Sequence, residues 1–295
     1  MTLHASPSRE SSLRPFKNHR DRLAWFGEQL DLALPAPRGY TDKQRKLEQV
    51  VAFVDVIQAE VRRYSRRRRL TFVDCGAGNC HLGLATALFF TKVEPRPVEI
   101  HCVDKNAVLM AKHRDTADRL GLVNMHFHAC DIDELSVPAP VDVVTALHAC
   151  DIATDKAMHL GVQTRARHIL TVACCQQTLV KSIRANAAST TAITRHQVFR
   201  QRLAYMAGDA MRALLLELEG YEVDVVELVS SRATDKNTLV RARRRNLPAN
   251  PVHAEALASL MASFRTVPAL AHYLGRATSV KRDLQCTRPT PWRLR

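Results

Sequence analysis

The sequence predicts an α/β protein: a doubly wound, mostly parallel sheet with helical N- and C-terminal extensions. Three observations carry that expectation. From Leu70 onward, short β-branched and apolar runs alternate with helix-sized stretches, and strands joined by helical crossovers form a parallel sheet covered on both faces. Successive runs end in an acid, at Asp74, Asp104 and Asp131. The final two runs, Tyr221–Val229 and Asn237–Arg245, read as a closing antiparallel pair.

The elements follow in order. Residues 1–40 are broken by Pro7, Pro15, Pro35 and Pro37, with one short helix expected in DRLAWFGEQL. Thr41 and Asp42 open a helix whose Leu47, Val50, Val51, Val54, Ile57 and Val61 recur at helical spacing. It ends in RRYSRRRR, Arg62 to Arg69, where cations complement the helix dipole. LTFVDC is the first strand, with a helix after it through about Phe90. Val98–Asp104 is the second strand, followed by a helix through Leu120. Strands three to five are expected over Val123–Asp131, Val141–Asp151 and His168–Cys175, and a further helix over Asp209–Glu219. Residues 248–295 hold one or two helices and a Pro/Arg tail.

Composition narrows the class. At 46% hydrophobic and 24% charged over 295 residues, the chain can bury a core, which excludes wholesale disorder. The longest apolar run, Leu82–Phe90, is far short of a bilayer span of about 20 residues. The N-terminus lacks a secretory h-region, so the eight cysteines are expected to be reduced thiols in a soluble, cytoplasmic protein. The net charge of +14 is unevenly placed: +7 in residues 1–70, −1 in 71–190 and +8 in 191–295. A neutral middle between basic flanks suggests chemistry in the middle and an anionic partner, with RNA the leading expectation. The competing account is solvated surface with no specific partner.

The turn VDCGAGNCHLG, Val73 to Gly83, lies between a strand and a helix. Gly76 and Gly78 allow a tight turn and a close backbone approach to a ligand. A dinucleotide fingerprint wants a glycine where His81 stands, and Asp74 would repel a pyrophosphate, so a nicotinamide enzyme is disfavoured. Asp74 suits a ligand with a cationic amino-acid end. Asp104 can accept ribose hydroxyls, and Asp131 an adenine amine. Each alone reads as a helix cap; three in register around a glycine turn read as a cofactor site.

These residues resemble the class I S-adenosylmethionine-dependent methyltransferases. DCGAG is similar to the first motif of that family, CVDKN to its ribose-binding acid, and ACDIDEL, which includes Ile132, to its adenine segment. The resemblance implies a seven-stranded Rossmann-like sheet with the last strand antiparallel, S-adenosylmethionine as cofactor, and a domain over residues 41–246 that includes the leading helix. Residues 1–40 and 247–295 are then a partly helical leader and a helical extension with its tail. Cys80 departs from the family's third glycine. LHACDIATDKA, ACCQQ and ATDKNTLVRA resemble a branch that includes bacterial proteins and the methyltransferase domain of glutathione S-transferase C-terminal-domain-containing proteins; Gln177 stands where that branch has His.

Around the strand ends lie Cys75, Cys80, Cys130, Cys150, Cys174 and Cys175, with Cys102 inside strand two. They read as small buried packing residues. Alternatively, Cys150, Cys174 or Cys175 is a nucleophile towards a cytosine ring, or His148, Cys150, Cys174 and Cys175 form a zinc site, although their spacing is poor for one and no metal is expected. His148 is a candidate general base, and Asp151 a residue that orients it or caps the next helix. The expected reaction is methyl transfer to RNA, with protein as second choice; the rival is a catalytically silent module that binds the cofactor or RNA.

Overall fold

The computed structural model describes residues 16–32, 42–137, 140–149, 151–174, 176–186, 191–229 and 237–277. Helix α1 spans His19–Gln29 and α2 Asp42–Val61. Strand β1, Leu70–Cys75, leads into α3, His81–Leu88, which ends in a π turn at Phe89–Val93. Next come β2, Val98–Val103, α4, Ala107–Arg119, and β3, Met125–His128. A 3-10 turn at Ile132–Glu134 precedes β4, Val143–Leu147. Then follow α5, Ile152–Gln163, β5, His168–Val172, α6, Gln177–Asn186, α7, Thr191–Thr194, and α8, Gln197–Leu218. Strands β6, Tyr221–Glu227, and β7, Thr238–Arg244, close the sheet before α9, Pro251–Phe264, and α10, Ala269–Tyr273.

The sheet has seven strands in the order β3-β2-β1-β4-β5-β7-β6. All neighbours are parallel except β5 with β7 and β6 with β7. This is the expected doubly wound sheet, its antiparallel closure included. Helices α1 to α4 cover one face, where Phe53, Ile57, Phe72, Leu88 and Leu170 share a core. Helices α5, α8, α9 and α10 cover the other, joining Val144, Ile169, Met211, Leu257 and Leu270. The C-terminal extension as far as α10 is therefore packed into the domain's own core. Among the described residues, no helix is long and apolar enough to cross a membrane.

The stripe expected on α2 is buried from Leu47 to Val61, each aliphatic contributing roughly 1.5–3 kcal/mol. Glu60 interrupts it. Its carboxylate, 1% exposed, takes both nitrogens of the Arg243 fork at 2.7 Å and faces His168 Nδ1 at 3.1 Å. Burial alone would raise its pKa, but the bonds from His168 and Arg243 prevail and hold it at about 2. This ionic knot ties α2 to β5 and β7.

Three expectations are corrected. Strands three, four and five stop well before Asp131, Asp151 and Cys175, because the chain leaves the sheet into the loops that carry the site. The helix expected from Asp209 begins at Gln197: its early buried positions, Ala204, Ala207 and Gly208, are too small to register as an apolar period. Between β3 and β4 the described crossover holds only the 3-10 turn, not a helix.

Candidate cofactor and transfer site

The turn after β1 packs three left-handed residues into five positions: Gly76 at φ +64°, Gly78 at +50° and Cys80 at +53°. A Cβ on Gly76 would stand 3.1 Å from that of Ala149, so the ends of β1 and β4 touch there. A Cβ on Gly78 would meet only the Gly76 carbonyl, at 3.9 Å, and Asp104 Oδ2, at 4.0 Å, ordinary contact distances that leave the turn uncrowded beside Asp104. Cys80, at the family's third-glycine position, adopts the left-handed conformation without being glycine, at a cost of about 1–2 kcal/mol.

Asp74 organises this turn from beneath. Its Oδ2 accepts from the Gly83 amide at 3.1 Å and its Oδ1 from the Thr145 hydroxyl at 3.1 Å. Only 4% of the residue is exposed, and burial pushes its pKa up to about 7 against the pull of those two bonds. Any attraction to a cationic ligand end acts through the turn it shapes. The thiols of Cys80 and Cys102 lie beside Asp74, all three groups within 4.8 Å. The hydrogen bond to Cys80, with burial, holds the Cys102 thiol well above the usual range. Cys75, Cys80 and Cys102 are fully buried, as packing residues are, and Cys130 is half-buried.

Asp104 faces the turn from the end of β2. The Gly78 amide donates to its Oδ2 at 2.8 Å and the Asn106 amide to its Oδ1 at 2.9 Å. Each oxygen keeps further acceptor capacity, so a carboxylate aligned by the turn itself can still accept from the hydroxyls of a ribose. Asp131 caps the 3-10 turn through the Asp133 amide, and its oxygens bind Lys105 Nζ at 2.5 Å and Lys156 Nζ at 2.6 Å. The two lysines hold its carboxyl well below the usual range. An adenine amine arriving there would displace Lys105, which is 75% exposed, sooner than the largely buried Lys156. Ile132 is buried in the core beneath the turn.

On the transfer side, His148 directly follows β4, at φ +63°. Its Nε2 stands 2.7 Å from Gln49 Oε1 on α2, and its amide donates to Val172 O at 2.9 Å. Asp151 does neither thing expected of it. It makes no cap bond to α5; instead its carboxylate accepts from the Thr178 amide at 3.2 Å and the Thr178 hydroxyl at 2.6 Å, holding the start of α6. The ring of His148 is oriented by Gln49, not by Asp151. Cys174 is buried and donates its thiol to the His148 carbonyl at 3.4 Å. Cys150 and Cys175 lie outside the described residues, and with them half of the zinc set considered above.

Sequence reasoning missed Gln49 and a buried ionic network. Arg212 grips Asp155 with two bonds, at 2.7 and 3.0 Å, and reaches Asp209 at 3.2 Å, while Gln176 donates to the same Asp209 oxygen at 3.0 Å. Burial raises Asp209 to about 6 against the pull of Arg212. Asp155, in the first turn of α5, is thus an ion partner inside the protein. The signal was present: polar residues on otherwise apolar helical stripes demand buried partners.

Residues 43–182 match the family model described as a methyltransferase domain. The chain carries a methyltransferase domain. Such a domain draws its methyl group from S-adenosylmethionine, and the uncrowded turn beside Asp104 fits that cofactor. The glutathione S-transferase C-terminal domain-containing protein of Xenopus laevis is 26% identical over an alignment of 194 residues, and the match covers 58% of this chain and 30% of that protein. The chain thus matches less than a third of that relative's length. Among solved structures, the magnesium protoporphyrin IX methyltransferase of Synechocystis PCC 6803 is 13% identical, covering 79% of this chain and 97% of that one at a TM-score of 0.45. The N-terminal domain of human METTL16 is 11% identical, covering 76% and 80% at 0.44. In this domain the Gln49–His148 pair ties α2 to the end of β4.

Proposed function

We propose that this domain transfers a methyl group from S-adenosylmethionine to RNA, and that Asp104, Gly76, Gly78, Asp131 and Ile132 form the cofactor site. The observation that carries the reading is the Gly76–Gly78 turn, whose own Gly78 amide holds the Asp104 carboxylate at 2.8 Å beside it. The cofactor supplies an electrophilic sulfonium methyl when bound. Asp104 accepts the ribose hydroxyls, Asp131 the adenine amine, and Asp74 keeps the turn in shape. The strand ends hold the methyl in line with the acceptor atom. His148, whose ring is held by Gln49, serves as base. Cys174, its thiol bonded to a backbone carbonyl, is a packing residue in this scheme. The basic flanks support RNA as acceptor.

Calorimetric titration with S-adenosylhomocysteine and with NAD tests the cofactor, and a tritiated-methyl assay on RNA and protein fractions tests the acceptor. Asp104→Asn places an amide group against backbone donors and removes charge-assisted bonds worth roughly 1.5–3 kcal/mol each. Cofactor affinity is expected to fall at least tenfold in a folded protein. An unchanged titration curve refutes the assignment, and label found only in protein refutes RNA.

A further inference from the structure

In the longest basic run of the sequence, Arg62–Arg69, four of the six arginines are paired with carboxylates. Arg63 pairs with Glu60 at 3.8 Å, Arg66 with Glu94 at 3.3 Å, Arg69 with Glu99 at 3.2 Å, and Arg68 with Asp142. Arg96 fastens the backbone of the run, donating to Val61 O and Ser65 O. The run joins α2 to β1, so it lies at the N-terminal edge of the parallel strands, opposite the glycine turn.

Beside it, on that same edge, is a cleft of about 470 Å³ lined by Thr164, Arg165, Arg167, Arg244 and Asn246 over the start of β4. No acidic residue lines it. The carboxylate next along the chain, Asp142, is 1% exposed and already shared: Arg68 and the Thr71 amide hold it, and Arg167 Nε stands 3.4 Å away. One negative charge thus faces two guanidiniums. Arg165 and Arg244 have no carboxylate partner among the described residues; Arg244 reaches only the Arg165 carbonyl, at 3.5 Å. Arg167 rests over the Tyr64 ring at 5.5 Å. The C-terminal end of α5, at Thr164, contributes partial negative charge that offsets only part of this surplus.

Three guanidiniums around a cleft without acids attract an anion, and their planar forks match phosphate oxygens. We propose that this cleft is a backbone subsite for single-stranded RNA, gripping phosphodiesters while a base of the same strand reaches the transfer edge. The proposal rests on the RNA-acceptor reading. The two edges are separated by at least the length of β4, about 17 Å, and a strand joining them runs around the helices that cover the sheet.

Fluorescence anisotropy of labelled mixed-sequence RNA against salt, on the full chain, tests it. Arg165→Ser/Arg244→Ser should weaken binding at least tenfold. It should also flatten the slope of log K against log salt by about 1.4, since two lost contacts each remove about 0.7 on single strands. Arg66→Ser/Arg69→Ser, whose charges are already paired, should leave the slope unchanged, and Arg165→Lys/Arg244→Lys should keep most of it. S-adenosylhomocysteine affinity and the melting temperature, unaltered in every variant, confirm folding. A wild-type slope in the Arg165→Ser/Arg244→Ser protein overturns the proposal. So does affinity independent of RNA length and matched by tripolyphosphate, which would make the cleft a small-anion site. Binding is read without turnover, so a slope change without RNA methylation upholds the cleft and removes the acceptor reading. RNA methylation with no slope change does the reverse.

Discussion

Replacing Gly83 by alanine probes how the turn is held. Gly83 lies in the first turn of α3, and an added Cβ would stand 2.5 Å from Cys102 Sγ, 3.2 Å from Cys80 Sγ and 3.3 Å from Asp74 Oδ2. Alanine in a helix is favoured over glycine by roughly 0.5–1 kcal/mol. Against that stands an overlap of about 1 Å with a sulfur in a strand paired on both sides; overpacking of this kind costs about 1–3 kcal/mol. The overlap prevails, and a net loss of about 1–2 kcal/mol is expected. Relief by moving α3 would also stretch the Gly83–Asp74 bond, so cofactor affinity should fall with stability. Cys102→Ala removes the obstructing sulfur. In that background Gly83→Ala should be neutral or slightly stabilising, a coupling of about 2 kcal/mol between the two sites. Urea unfolding followed by circular dichroism, with S-adenosylhomocysteine titration, measures both. A Gly83→Ala protein as stable as its parent, or no coupling to Cys102→Ala, refutes this account of the turn.

Glu60 has its pKa lowered on folding, so its contribution is present above its ordinary value of 4.5 and is lost as pH falls from there through about 2; at most about 3 kcal/mol is involved, less what water screens. Glu60→Gln should flatten that acid limb in pH-dependent unfolding, and an unchanged limb would discount the knot. Asp151→Ala should cost about 1 kcal/mol by uncapping α6 while leaving turnover in step with the folded fraction; a folded Asp151→Ala protein without turnover would return Asp151 to the His148 ring. Cys174→Ser keeps a donor for the His148 carbonyl, so methyl transfer should persist in step with the folded fraction. A folded Cys174→Ser protein without turnover would bring the thiol into the chemistry.

What the sequence determined on its own was whatever is encoded locally. The stripe on α2, the β-branched runs and the closing pair specify their elements through side-chain period, and period settles which face is buried. The glycine turn and Asp104 were equally visible, because positive φ and a strand-end carboxylate are properties of single positions. Asp151 shows where this stops. Its place before α5 suggested a cap or a partner for His148, but which donor a carboxylate meets depends on how α6 folds back, 27 residues later in the chain. Gln49 and His148, 99 residues apart, and Glu60 and Arg243, 183 apart, are likewise joined only when α2 lies on the sheet. Charge is the same case. Arg62–Arg69 is a block in sequence but largely paired in space, whereas Arg165, Arg167 and Arg244 are scattered in sequence and gathered at one cleft. Hydrogen bonds and ion pairs act over a few ångströms, and only the tertiary structure decides which groups come within that reach.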